Sequence, residues 1–143
     1  MKRLVLAVVL VAACRGSGPA RAGSAETGAA TPQMAVEGFL KGVKDQDLQA
    51  IGNVWGDRRG SARTYLDREQ YETRLVLMQC LLSHEQSRLV SGPAQKGDTA
   101  VINVELRKGQ APPLQTTFKM LQGPASRWYV NMVDPLSTDF CRK

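Results

Sequence analysis

Near Gln86 the spacing of apolar residues changes from a period of 3.6 to a period of 2, and no other feature of the 143-residue chain restricts its fold as much. Before that point Thr31-Pro32 supplies an N-cap with proline in the first helical position. Val36, Phe39, Leu40 and Val43 then recur at i, i+3, i+4 and i+7, which predicts a helix to about Lys44. Asp45 or Asp47 caps a second, shorter helix with Leu48, Ile51, Val54 and Trp55 on its apolar stripe and Gly56 as its stop. The stretch GDRRGSARTY reads as a loop. Asp67-Arg68-Glu69-Gln70 opens a third helix, with Tyr71, Leu75, Met78 and Leu82 along one face and Leu77, Cys80 and Leu81 widening it.

Beyond Gln86, runs of β-branched and aromatic residues alternate with glycine- and proline-bearing turns. The runs are Ser87 to Ser91, Thr99 to Arg107, Leu114 to Leu121 and Arg127 to Val133. Ala100, Ile102, Val104 and Leu106 share one face of the second; Leu114, Thr116, Phe118 and Met120 share one face of the third; Trp128, Val130 and Met132 do so in the fourth. Glu105 and Asn103 fall opposite the Ile102 stripe and are expected to meet solvent. The connections KGD, KGQAPP and GPAS are short enough for hairpins. The fold class is therefore α+β: N-terminal helices packed on a curved antiparallel sheet of about four strands. Which face of the sheet the helices cover stays open, because in the final strand both phases of alternation are apolar.

The other end of the chain speaks of location. Lys2 and Arg3 precede the apolar segment Leu4 to Ala13, the anatomy of a secretory signal over residues 1–13. Ten apolar or small residues before Arg15 are too few for a membrane-spanning helix, which needs about 20. Val11-Ala12-Ala13-Cys14 resembles the lipobox of bacterial lipoproteins, which implies that Cys14 is the lipid attachment point and the mature N-terminus. Two or three acyl chains, at about 0.8 kcal/mol per buried methylene, hold a protein on a membrane stably. Arg15 rather than Asp after the cysteine implies, by the same resemblance, the outer membrane, facing the periplasm. Cys80 and Cys141 are then left as a pair in a disulfide-permissive compartment, either bonded, as expected, or buried as free thiols.

Residues 14–31 are the lipidated cysteine and a flexible tether, since RGSGPARAGSAETGAAT offers no large apolar side chain to bury. Residues 32–143 form one domain of about 110 residues, enough to bury about two-thirds of its unfolded surface. The chain carries 19 Lys and Arg against 13 Asp and Glu, and 17 against 13 once Lys2 and Arg3 are gone. These charges are scattered and no nucleic-acid motif accompanies them, so nucleic acid is not an expected partner.

The helix and strand order, the opening AVEGFLKGVKDQDLQAIGNVWG and the closing RWYVNMVDPL resemble the nuclear-transport-factor-2-like, cystatin-related cone family, in particular its small bacterial lipoproteins. The resemblance implies a conical sheet whose concave face can enclose a pocket. Enzymes of that family place an Asp or His base inside an apolar cone. No such dyad transfers to this chain: His84, its only histidine, falls where the third helix hands over to the first strand, and is expected at the rim or surface. No Cys/His set has zinc spacing, no phosphate loop is present, Ser61 and Ser83 lack a base, and no cofactor is expected.

If a site exists, the mouth of the cone is the place for it. Trp55, Tyr71, Trp128 and Tyr129, with Arg58, Arg59 and His84 at the rim, would suit a small apolar ligand or a peptide. Trp128 and Tyr129 must point to opposite faces. Apolar residues on both faces (Val101, Tyr129 and Val133 against Ile102, Trp128 and Val130) imply a homodimer or an envelope protein partner. Two functions follow: a non-catalytic binding or scaffolding domain held to the membrane through its lipid, or a small cone-fold enzyme of isomerase, dehydratase or cyclase type acting on an apolar substrate.

Overall fold

The computed structural model describes residues 26–142; the expected signal segment 1–13, Cys14 and residues 15–25 of the expected tether lie outside it. Helix α1 spans Pro32–Asp45 and α2 spans Leu48–Val54. The Thr31 hydroxyl accepts from the Met34 N–H at 3.2 Å and Pro32 occupies the first turn, so α1 begins where its sequence says it should. It ends because Gln46 turns left-handed (φ 57°) and closes on the Gly42 and Val43 carbonyls. Of the two aspartates that could cap α2, Asp47 does so, accepting from the Ala50 N–H at 3.0 Å. Helix α3, Arg68–Leu81, is capped by Asp67, which accepts from the Gln70 N–H at 2.9 Å.

Between α2 and α3 the expected loop has structure of its own. Two-residue strands β1 (Gly56–Asp57) and β2 (Gly60–Ser61) pair as a hairpin, followed by a 3-10 turn over Ala62–Thr64. The main sheet is antiparallel and contains β3 (Gln86–Leu89), β4 (Ala94–Lys96), β5 (Thr99–Arg107), β6 (Leu114–Gln122) and β7 (Trp128–Asp134), in the order β3-β5-β6-β7. Strand β4 adds to the four runs that the periodicity marks. It pairs with β5 along the same edge as β3, after Ser91-Gly92-Pro93 interrupts the edge strand. The class is α+β, as its pattern of periods requires.

Helix α1 lies on the face of the sheet that carries Ala100, Ile102, Val104 and Leu106, all fully buried, and this settles which face is covered. Phe39 of α1 meets Phe118 of β6 edge to face, ring centroids 5.7 Å apart. Helix α2 packs on α1, and α3 packs on α2 and on the C-terminal 3-10 turn Thr138–Cys141. Because α3 is a layer removed from the sheet, it buries a narrower stripe than expected: Leu75 is in the core and Tyr71 and Met78 lie against it, but Leu77 is 53% exposed. Cys80 and Cys141 lie at disulfide distance and are bonded, with Cα atoms 4.8 Å apart, tying α3 to the end of the chain.

Strand β7 departs from the simple alternation read in its sequence. Lys119 pairs with Met132 but Met120 pairs with Val130, so Asn131 is an extra residue, a bulge, on β7. Beyond it the side chains change face: Met132, expected beside Trp128 and Val130, is exposed, and Val133 packs against the core instead.

The last residues of the expected tether are part of this body. The Gly28 N–H donates to the Asn53 carbonyl at 2.6 Å, and Ala29, buried, exchanges backbone hydrogen bonds of 2.9 and 2.8 Å with Trp128. Small residues are required here for close approach rather than for flexibility. A Cβ on Gly28, whose φ is +78°, would stand 2.7 Å from the Tyr129 ring.

Candidate functional site

The aromatic and basic residues expected around one mouth are spread over several places. Trp55, buried at the end of α2, stacks on Tyr71 of α3 with ring centroids 5.6 Å apart and planes 18° from parallel. Gly52 makes room for this stack, since a Cβ there would lie 1.9 Å from the Tyr71 hydroxyl. Burial raises the pKa of that phenol above its ordinary value. Trp128 belongs to the core beneath the sheet. Tyr129 does point to the other face, but it is covered there: it is 3% exposed, its hydroxyl is 2.9 Å from the Thr27 hydroxyl, and Gly28 and Gly123 press against its ring. The chain covers Tyr129 with its own N-terminal segment. Val101, the second member of that expected surface, is half-buried, and Val133 has crossed to the core face.

Arg58 and Arg59 sit on the β1–β2 hairpin, each held by an aspartate. Arg58 makes a two-pronged contact with Asp98, Nε to Oδ2 at 2.6 Å and a terminal nitrogen to Oδ1 at 3.1 Å. Arg59 clasps Asp57 and lays its guanidinium over the Tyr65 ring, 3.7 Å from the centroid. These hydrogen bonds pull the pKa of Asp57 and of Asp98 below the usual carboxylate value. Both arginines therefore stiffen the hairpin, and their forks are already engaged.

His84 is corrected by the structure: it is 7% exposed, not a surface group. Its Nδ1 lies 2.9 Å from the Leu82 carbonyl oxygen, so that nitrogen carries the proton and donates. Burial holds its pKa below 6.5, and neighbouring Lys44 disfavours a charge further. A crease of about 220 Å³ beside it is lined by Glu37, Leu40, Lys41 and Lys44 of α1 and by Ser87 and Leu89 of β3. None of Trp55, Arg58, Arg59, Tyr71, Trp128 or Tyr129 borders this crease.

A cluster that sequence reasoning passed over lies on the outer face of the sheet, near its β3 edge. Glu105 faces that way, as its alternation requires, yet it is only 8% exposed. Arg88 of β3 and Gln115 of β6 are its partners across the strands, and Arg107 stands two residues along the same strand. The Glu105 carboxylate accepts from Arg107 Nε at 2.8 Å, from Gln115 Nε2 at 2.6 Å and from Arg88 at 3.4 Å. These contacts, Arg107 foremost, lower its pKa, so it remains an anion near neutrality. The signal in the sequence was the i, i+2 pair Glu105 and Arg107. What it lacked was the register that brings Arg88 and Gln115 alongside.

Among the described residues no three His, Cys, Asp or Glu side chains are grouped to hold a metal, and no helix is long and apolar enough to cross a membrane. Every buried side-chain nitrogen and oxygen among them has a hydrogen-bond partner. No protein-family model matches the chain, and no curated protein matches it.

Proposed function

We propose that the chain is a bacterial envelope lipoprotein, anchored through diacylglycerol on Cys14, whose α+β body of the nuclear-transport-factor-2-like type binds or scaffolds rather than catalyses. The observation that carries the anchor is the run Lys2-Arg3, Leu4 to Ala13 and Val11-Ala12-Ala13-Cys14. The bonded Cys80 and Cys141 support an extracytoplasmic site of action. A binding role on the outside of the body is supported by the packing of the would-be cone: Phe39, Phe118, Trp55 and Trp128 are core residues in contact with their neighbours, not the walls of a ligand chamber. Because Arg15 rather than Asp follows the cysteine, resemblance to the lipoproteins of diderm bacteria puts the body at the outer membrane, facing the periplasm.

Metabolic labelling with radioactive palmitate tests the anchor. The wild-type chain should take up label and fractionate with membranes, and Cys14→Ser should do neither. Recovery of an unlabelled wild-type chain that retains Met1 in the soluble fraction would overturn the reading.

A further inference from the structure

The outer-face cluster is a built arrangement, and the hydrogen bonds within it leave its cations partly unspent. Arg107 gives its Nε to Glu105 and Arg88 gives one terminal nitrogen, so each guanidinium retains N–H groups that no side chain of the cluster takes. Their side chains are 58% and 66% exposed, while the carboxylate that orients them is sunk beneath them. Together with Lys44 from the last turn of α1 they border a groove of about 570 Å³ that also includes Glu85, Gln86 and Ser87. Three cations there meet two carboxylates, and one of the carboxylates, Glu105, already accepts from three donors.

We infer that this groove binds a phosphate group, with Arg88 and Arg107 as planar forks held in position by Glu105 and with Lys44 as a point charge at the rim. Three features distinguish the arrangement from an ordinary solvated strand face. The forks lie on neighbouring strands at a separation fixed by antiparallel register, Arg88 opposite Glu105 and Arg107 two residues on. Holding long side chains before a ligand arrives lowers the entropy lost on binding. Guanidinium matches phosphate geometry with paired N–H groups, which a lysine cannot do. Glu85 is the opposing element: its carboxylate shares the groove and repels an anion there. The proposal does not depend on the lipid anchor.

The phosphate can belong to a free solute or to an anionic lipid headgroup, and two arms of one titration separate them. Full-length protein is titrated with inorganic phosphate, and separately with bicelles containing phosphatidylglycerol against bicelles of phosphatidylcholine alone, while the arginine side-chain Nε–H resonances are followed by NMR. Saturable shifts with inorganic phosphate assign a solute site; saturable shifts with phosphatidylglycerol bicelles alone assign a headgroup site. Arg107→Lys, which keeps the charge and loses the fork, should weaken binding about tenfold. Arg68→Gln, which removes an exposed charge on α3 outside the groove, should leave it unchanged. Absence of saturation in both arms overturns the inference, as does equal affinity of Arg107→Lys and wild type, or equal weakening by Arg68→Gln and Arg107→Lys.

Discussion

His84 shows how a residue's neighbourhood decides its chemistry. The same histidine on a rim would titrate near its ordinary value, but here burial disfavours the charged ring and Lys44 adds to that. Because its folded-state pKa is depressed, the unfolded chain takes up the proton first as pH falls through about 6.5. Stability should therefore decline below neutrality and stop declining on this account once the folded His84 titrates as well. His84→Gln should flatten that part of the curve, by at most about 1.4 kcal/mol per pH unit for a single proton, in urea denaturation followed across pH. Glu105 has a dependence of the same sign in a more acidic window: its lowered pKa contributes stability above the usual carboxylate value that is lost as pH falls further. Gly52 is a second residue defined by its neighbour. Gly52→Ala should cost about 1–3 kcal/mol by driving the Tyr71 hydroxyl away from its place. Much of that loss should return in the Gly52→Ala, Tyr71→Phe double variant, and a double-mutant cycle on the same denaturation assay measures the coupling.

Among the elements, β7 carries the clearest lesson. Its sequence permits two phases, and the extra residue at Asn131 uses both: Trp128 and Val130 before the bulge face the core, and Val133 does so after it. Val133→Ser should destabilise by about 1–3 kcal/mol, whereas Met132→Ser should change stability by less than about 0.5 kcal/mol. A strand without the bulge would give the reverse order in thermal melts of the two variants. Helix α3 illustrates the same separation of pattern from burial. Its apolar residues outnumber the neighbours available to cover them, since α2 and the short C-terminal turn are narrower than a sheet. Leu75 is buried and Leu77 is left in solvent.

For the molecule as a whole, the bond between Cys80 and Cys141 closes a loop with a sequence separation of 61 that contains every strand of the main sheet. On the chain-entropy account a loop of about 60 residues is worth roughly 4 kcal/mol, and the Cys80→Ala, Cys141→Ala double variant should lose close to that amount. Guanidinium denaturation of both forms under non-reducing conditions measures it. The two ends of the described chain are thus each fastened, the C-terminal end by sulfur and the N-terminal end by the Thr27 to Ala29 segment lying against Trp128 and Tyr129. The covering of Tyr129 by that segment takes this one side chain out of the apolar outer surface expected from the sequence, while Met132 stays exposed.

The features legible in the chain before folding are local. The caps at Thr31 and Asp67, the boundaries of β5 and the helix-then-strand order all follow from residue chemistry acting over a few positions, while the choice of Asp47 over Asp45 and the bond between Cys80 and Cys141 needed the fold. Only the tertiary structure decided the rest: which face of the sheet α1 covers, where the bulge reverses β7, that His84 is buried, that composition typical of a linker closes over Tyr129, and that Arg88 and Gln115 meet Glu105. The reason is physical. Caps and periods are energies of neighbours in the chain, whereas these outcomes depend on register and on competition for a limited buried area among segments as far apart as Thr27 and Tyr129.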